Sequence, residues 1–225
     1  MVKKVDKPLP VSGNNPCPFL RALVSEGMLS DEREPLDKVA AVIVATTSAG
    51  DGSPELPSAA IVGIGLVANG LSPLACLENK KRGLRLNALR GGPLDKKGVG
   101  SGILDSRGNV DAKELARLRG FAKKKVSKDG SSEPGLALPE LRAYMDANFE
   151  RAAGRRRLID RTLMIGEWPV LLKVLGKEGT TGRYLSLRDV EELFTKRRLP
   201  QRIRERLQSQ PINGPAQPTR RTRSS

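Results

Sequence analysis

The chain has 225 residues, 40 Lys and Arg against 25 Asp and Glu, two cysteines and no histidine. The missing histidine excludes His-ligated zinc, a Ser-His-Asp triad and a His-ligated haem, and two cysteines are too few for a disulfide scaffold. The length suits one large domain or two small ones. Aromatic residues make up only 3% of the chain, and helix formers dominate. These features predict a mainly α protein with an aliphatic core: a single helical domain of about seven to nine helices over residues 16–205, with a soft internal boundary near residue 100.

A flexible arm is expected over residues 1–15 and a disordered basic tail over 206–225. From Lys196 onward there are nine basic residues and one acidic, a net +8 of the chain's +15. Such a tail can contact an acidic partner, nucleic acid or acidic membrane among them, or can simply be a solvated end. The N-terminus lacks the apolar run of a signal peptide. The longest apolar run, residues 59–68, spans ten residues and holds two glycines, whereas a membrane span needs roughly 20. The expectation is a soluble, cytoplasmic protein without a membrane span.

In chain order, Asn14-Asn15-Pro16-Cys17-Pro18-Phe19-Leu20-Arg21-Ala22-Leu23 sets one cysteine between two prolines at the head of a helix. Proline fixes φ and lacks an N–H, so Pro16 and Pro18 pin the backbone where a helix begins. Phe19, Leu20, Leu23 and Val24 repeat at helical spacing and Gly27 is a stop. Cys17 then stands at the helix N-terminus, where unpaired amides and the macrodipole favour an anion such as a thiolate. A thiolate can donate to haem iron. The plain alternative is a small buried residue at a proline-rich helix start. Ser30 to Pro35 supplies caps and early acids for a second helix carrying Leu36, Val39, Ala40, Val42 and Ile43. Residues 57–70 predict a third helix, apolar all round and therefore buried. Its small residues admit either a neighbouring helix or a flat cofactor. Residues 71–91 predict a fourth helix with the cations Lys80, Lys81 and Arg82, which suit a carboxylate-bearing ligand or a solvated face. Residues 96–102 form a glycine-rich basic connector.

Residues 103–115 open a helix expected to reach about Val126. The second half of this stretch fits a calcium loop, with Gly108 at the turn and Glu114 at the last ligand position. The first half does not, because Ile103 and Arg107 occupy ligand positions. Calcium is not expected there, and a turn followed by an acidic helix start accounts for the pattern. A polar loop over 127–135 and an amphipathic helix over 139–153 follow. In residues 158–172, Glu167 lies in an apolar stretch beside the only tryptophan, Trp168. A carboxylate there is paired, desolvated or at a rim. Pro169 disfavours helix at Trp168, so Glu167 is expected at a kink or a new helix start.

The Pro16-Cys17-Pro18 stretch and its helix resemble the signature of the haem-thiolate peroxidases, the chloroperoxidases and unspecific peroxygenases. The resemblance implies that Cys17 is the proximal haem ligand, flanked by Pro16 and Pro18. It implies that Glu167 is the distal glutamate that moves a peroxide proton, assisted by Arg161. Long-chain members place that arginine seven residues before the glutamate, a position held by Asp160 here. Residues 185–200, with Leu193-Phe194 and Arg198-Leu199-Pro200, are similar to the ending of that family. Its divalent-ion motif has Ile103-Leu104-Asp105 as nearest counterpart, without the glutamate. Residues 101–200 also look like the caleosin peroxygenases, which bind calcium through one EF-hand and haem through histidine. The reading that follows is a peroxidase or peroxygenase acting with hydrogen peroxide on a small organic substrate. The alternative is a non-enzymatic, degenerate EF-hand-like interaction protein with a basic tail.

Overall fold

Pro18 at the first helical position starts α1 (Pro18–Ser25), and Gly27, at φ 71°, ends its turn. The computed structural model describes residues 8–51, 57–95, 100–155 and 157–209. Helices α2 (Leu36–Ser48), α3 (Ser58–Val67) and α4 (Pro73–Arg82) follow. A two-residue bridge, Glu34 with Leu84, ties the entrance of α2 to the exit of α4. Gly83 makes this possible: it adopts φ 90°, and a Cβ there would sit 2.4 Å from the Glu34 carbonyl oxygen. A single 3-10 turn covers Leu86–Ala88.

The second half is built from two like units. The first runs α5 (Ala112–Arg119), β1 (Lys123–Val126), β2 (Ser132–Ala137) and α6 (Leu138–Arg151). The second runs α7 (Leu158–Leu175), β3 (Lys177–Gly179), β4 (Gly182–Ser186) and α8 (Leu187–Thr195). In both, the second strand passes into its helix without a linker. The two hairpins join through β2 and β4 into one antiparallel sheet of order β1-β2-β4-β3. Leu136 pairs with Leu185 in that register. These two are also equivalent residues of the two units, so an approximate two-fold axis passes between them. The sequences on either side agree: Leu138, Glu140, Leu141, Tyr144 and Met145 match Leu187, Asp189, Val190, Leu193 and Phe194 at a constant offset. Leu141, Tyr144, Val190 and Leu193 are all buried. Helix α9 (Gln201–Ser209) packs on α2 and buries Ile203 and Leu207.

One apolar cluster runs from Phe19 through Leu86, Leu118, Leu141 and Trp168 to Leu207. It crosses residue 100 without a break, so the described residues share one core. Edge-to-face contacts of Phe121 with Tyr144 (5.3 Å) and Tyr144 with Trp168 (5.6 Å) give this core its aromatic spine.

The mainly α expectation holds, with nine α-helices among the described residues. The sheet was not expected. The stretch read as a helix to Val126 stops at Arg119, and Lys123–Val126 is a strand. The polar loop over 127–135 gives way to β2 from Ser132. The fourth helix, expected over 71–91, ends at Arg82 because Gly83 turns the chain. The third helix is not buried: of its ten residues only Gly65 is. The arm expected to be flexible is held over its described part, with Leu9 N donating to Ser25 O (2.8 Å) and Ser12 N to the Asp31 carboxylate (2.6 Å). Residues 206–209, expected in the tail, belong to α9; residues 1–7, 96–99 and 210–225 lie outside the described residues.

Candidate functional site

Cys17 is the N-cap residue of α1, with extended backbone at φ −84° and ψ 112°. Its amide donates to Asn15 Oδ1 (3.2 Å), and its carbonyl accepts from Arg21 N (3.0 Å). The side chain is half-buried and packs against the apolar core, between half-buried Pro16 and buried Pro18.

Two arginines fix the turn that leads to it. Arg21, 3% exposed, donates to the carbonyls of Ser12 (2.8 Å), Asn15 (3.1 Å) and Gly108 (3.1 Å). Arg90 donates to the carbonyls of Gly13 (3.2 Å) and Asp105 (2.9 Å), and its amide to Asn14 O (2.9 Å). Residues 12–15 are thereby clamped to the 105–109 turn. The backbones meet so closely that a Cβ on Gly13 would stand 2.3 Å from the Arg107 carbonyl oxygen. Within this clamp two buried N–H groups have no hydrogen-bond partner among the described residues: Nδ2 of Asn15, itself fully buried, and Nε of Arg21. Buried donors of this kind are rare and ask for an acceptor.

Glu167 and Arg161 both lie on α7, which runs through Pro169 as one helix rather than ending there. The expected kink or new start at Glu167 is therefore absent. Proline costs this helix the hydrogen bond to the carbonyl four residues back, and packing of Trp168, Leu171, Leu172 and Leu175 into the core holds the helix together. Glu167 is half-buried at the edge of that stripe, one turn from Met164 and Leu171. Arg161 sits at the helix surface, paired with Asp146 (3.2 Å) and stacked 5.1 Å above the Phe149 ring. Asp160 is fully buried and is bound by its neighbour Arg157 through the backbone amide (2.7 Å) and the guanidinium (2.7 Å). Helix α1 packs on α8, and α7 packs on α2, α6 and β4. Cys17 and Glu167 thus belong to helices with different main partners. Between α7 and α8, Trp168, Leu171, Asp189 and Leu193 border a cavity of about 10 Å³, room for one water molecule.

The stretch that resembled a calcium loop is a tight turn closed by a bridge of Leu104 with Val110. Asp105 accepts from the amides of Arg107 (2.8 Å) and Asn109 (2.8 Å), which holds its carboxyl below the ordinary range. Asp111 caps α5 by accepting from the amides of Lys113 and Glu114. Glu114 receives both guanidinium nitrogens of Arg151 (2.6 and 2.8 Å) and Nε of Arg117 (3.2 Å). The bond from Arg151 is the main reason its carboxyl titrates low. The same arrangement recurs where each second strand enters its helix. Glu140 accepts from Ala137 N (2.9 Å) and Lys125 (2.9 Å). Its equivalent Asp189 meets Arg202, which also binds Asp51 (3.1 Å). Burial is what raises the Asp189 carboxyl, against the pull of Arg202. Among the described residues no group of three or more Cys, Asp or Glu is arranged to hold a metal ion.

The motif reading missed a polar hub on the sheet. Glu133 of β2 accepts from Tyr184 Oη (2.8 Å), Ser186 Oγ (2.6 Å) and Lys177 Nζ. Burial works to raise this carboxyl, and the three donors outweigh it and hold it low. The short Tyr184-Leu185 apolar pair, preceded by the turn at Gly182, was the available signal for β4.

No family model, curated protein or solved structure matches this chain.

Proposed function

We propose that the chain is a haem-thiolate peroxidase- or peroxygenase-like oxidoreductase that uses hydrogen peroxide on an organic substrate, with Cys17 as the haem ligand. The observation that carries this reading is the clamped turn around Cys17. A cysteine stands at a helix start, directly after a turn held by Arg21 and Arg90. In the same clamp the buried N–H groups of Asn15 Nδ2 and Arg21 Nε have no acceptor among the described residues.

Haem held by Cys17 would supply peroxide O–O cleavage, which a thiolate ligand favours. Pro16 and Pro18 would keep the Cys17 turn from rearranging. The resemblance gives Glu167 the role of accepting and returning a proton, on a helix whose main partners are α2, α6 and β4. Arg161, engaged with Asp146 and Phe149, is left out of this assignment. The test is titration of the full chain with haemin. One equivalent bound by wild type and none by Cys17→Ala supports the ligand. Peroxide-driven dye oxidation lost in Glu167→Gln, with the haem spectrum kept, supports the proton role. Binding that survives Cys17→Ala overturns the ligand assignment.

A second reading is favoured by a different observation. The two helix–hairpin–helix units are joined strand to strand like a degenerate EF-hand pair, and Glu114, Glu140 and Asp189 are each held by the chain's own cations. Such a pair would serve as a metal-independent interaction module. Folding unchanged by calcium, together with no haem uptake, is what this reading expects.

A further inference from the structure

Helices α3 and α4 pack together as a hairpin whose outer surface is apolar and exposed among the described residues. Seven large apolar side chains are exposed among the described residues, and four of them fall in this hairpin: Ile64 (59%), Leu71 (70%), Leu74 (79%) and Leu77 (44%). The two most exposed stand at the tip, where the chain turns from α3 into α4. An exposed apolar patch of this kind marks an interaction surface.

The hairpin is rigid enough to present that surface. Ser72 caps α4 by accepting from Ala75 N (3.2 Å), and Pro73 occupies the first turn. Asn79, buried on the inner side of α4, donates to the carbonyls of Gly65 (3.3 Å) and Leu66 (2.9 Å) in α3. Asn69, in the turn between the two helices, donates to the carbonyls of Arg85 (2.9 Å) and Ala88 (3.1 Å), which ties that turn to the segment after α4. Gly65 lets α3 lie directly on α2, since a Cβ there would meet Leu36 Cδ2 at 2.6 Å. The remaining faces of α3 are left outward.

The charge of this hairpin is predominantly positive. Between residues 57 and 94 the only acid is Glu78, already paired with Arg33 (2.7 Å), against five bases. Lys80, Lys81 and Arg82 are all exposed. Leu74, Leu77 and Lys81 follow one another at helical spacing on the side of α4 away from Asn79. Each helix has ten residues, about 15 Å of length, too short to cross a bilayer and suited to lying at its surface.

We propose that the α3–α4 hairpin docks on the surface of a bilayer containing anionic phospholipids, with Leu71 and Leu74 entering the headgroup boundary and Lys80, Lys81 and Arg82 meeting the lipid phosphates and carboxylates. A second copy of the chain suits this face poorly, because it would bring two like cationic clusters together. The chain's own segment 210–225 does not complement it either: it holds one large aliphatic residue, Ile212, and three arginines.

The test is flotation of the full-length protein with vesicles of phosphatidylcholine alone and with vesicles in which about a third of the lipid is phosphatidylserine, which carry a negative surface potential. The expected result is recovery with the anionic vesicles only, weakening steeply as salt rises. Leu71→Ser/Leu74→Ser and Lys80→Glu/Lys81→Glu/Arg82→Glu are each expected to cut recovery at least tenfold, while helical circular dichroism and melting temperature stay at wild-type values. All five positions are exposed, so their folding cost is small. Equal recovery of the leucine variant and wild type would overturn the hairpin as the docking element. So would a wild-type dimer in light scattering that the leucine variant turns into a monomer, since the face would then belong to a second copy.

Discussion

Glu26 joins the end of α1 to the segment that precedes α9, and the structure predicts that its ionisation weakens the fold. One oxygen accepts from Leu199 N (2.8 Å), and Arg204 stands 3.9 Å away. Burial is the dominant influence and pushes the carboxyl up to about 7, against the opposing effects of the Leu199 amide and of Arg204 and Arg198. A carboxyl moved from 4.5 to about 7 holds its proton more tightly in the folded state by about 3 kcal/mol. Between these values the folded chain carries more protons than the unfolded one, so this group's contribution falls as pH rises from about 4.5 to about 7. Glu26→Gln keeps an acceptor for Leu199 and cannot ionise. The variant should match wild type near pH 4.5 and exceed it at pH 8 by up to about 3 kcal/mol, roughly 6–12 °C in a domain of this size. Paired urea melts of the two proteins across this range isolate the effect, because the other titrating groups cancel in the difference. Parallel curves at all pH values, or a variant less stable at pH 8, would refute the reasoning.

Other perturbations test the clamp and the polar hub. Gly108→Ala places a Cβ 2.6 Å from Arg21 Nη1 at a φ of 77° and should cost about 1–3 kcal/mol in urea unfolding, with weaker haem uptake. Arg21→Met removes three buried donors to carbonyls and should cost about 3 kcal/mol or more by the same measurement. Glu133→Gln should be less stable than wild type at neutral pH. Because the Glu133 carboxyl is held low, its stabilisation is present above its unfolded value and is lost as pH falls through the folded one. The difference between the two proteins should therefore shrink below about pH 4. Calcium in large excess should leave the melting temperature unchanged, because Arg151 and Arg117 already occupy Glu114.

The helices were legible where periodicity and breakers agreed. Pro18 and Gly27 bracket α1, and the apolar spacing of Leu141, Tyr144 and Met145 fixes α6. The sheet was hidden because Lys123-Lys124-Lys125 reads as a solvated run and Pro134 as a loop. The strand character of both comes from pairing: Lys124 lies opposite Pro134, and β2 finds β4 some fifty residues away. A comparison of the chain with itself would have exposed the two units, since Leu136 to Met145 repeats as Leu185 to Phe194. Uniform apolarity predicts a core position for α3, but an exposed apolar surface has the same composition, and only Gly65 of this helix is buried. At the candidate site, Cys17 stood out as a motif residue. Arg21 and Arg90 did not, because their targets are backbone carbonyls brought near only by folding. Pro169 suggested a break that core packing around Trp168 overrides.

The measurement that tests the central claim most directly is the optical spectrum of the reduced protein under carbon monoxide, after expression with haem supplied. The account predicts the red-shifted Soret band of a thiolate-ligated haem, lost in Cys17→Ala and kept in Cys76→Ala. No haem uptake by the folded wild-type protein, or the same spectrum from the Cys17 variant, would contradict it.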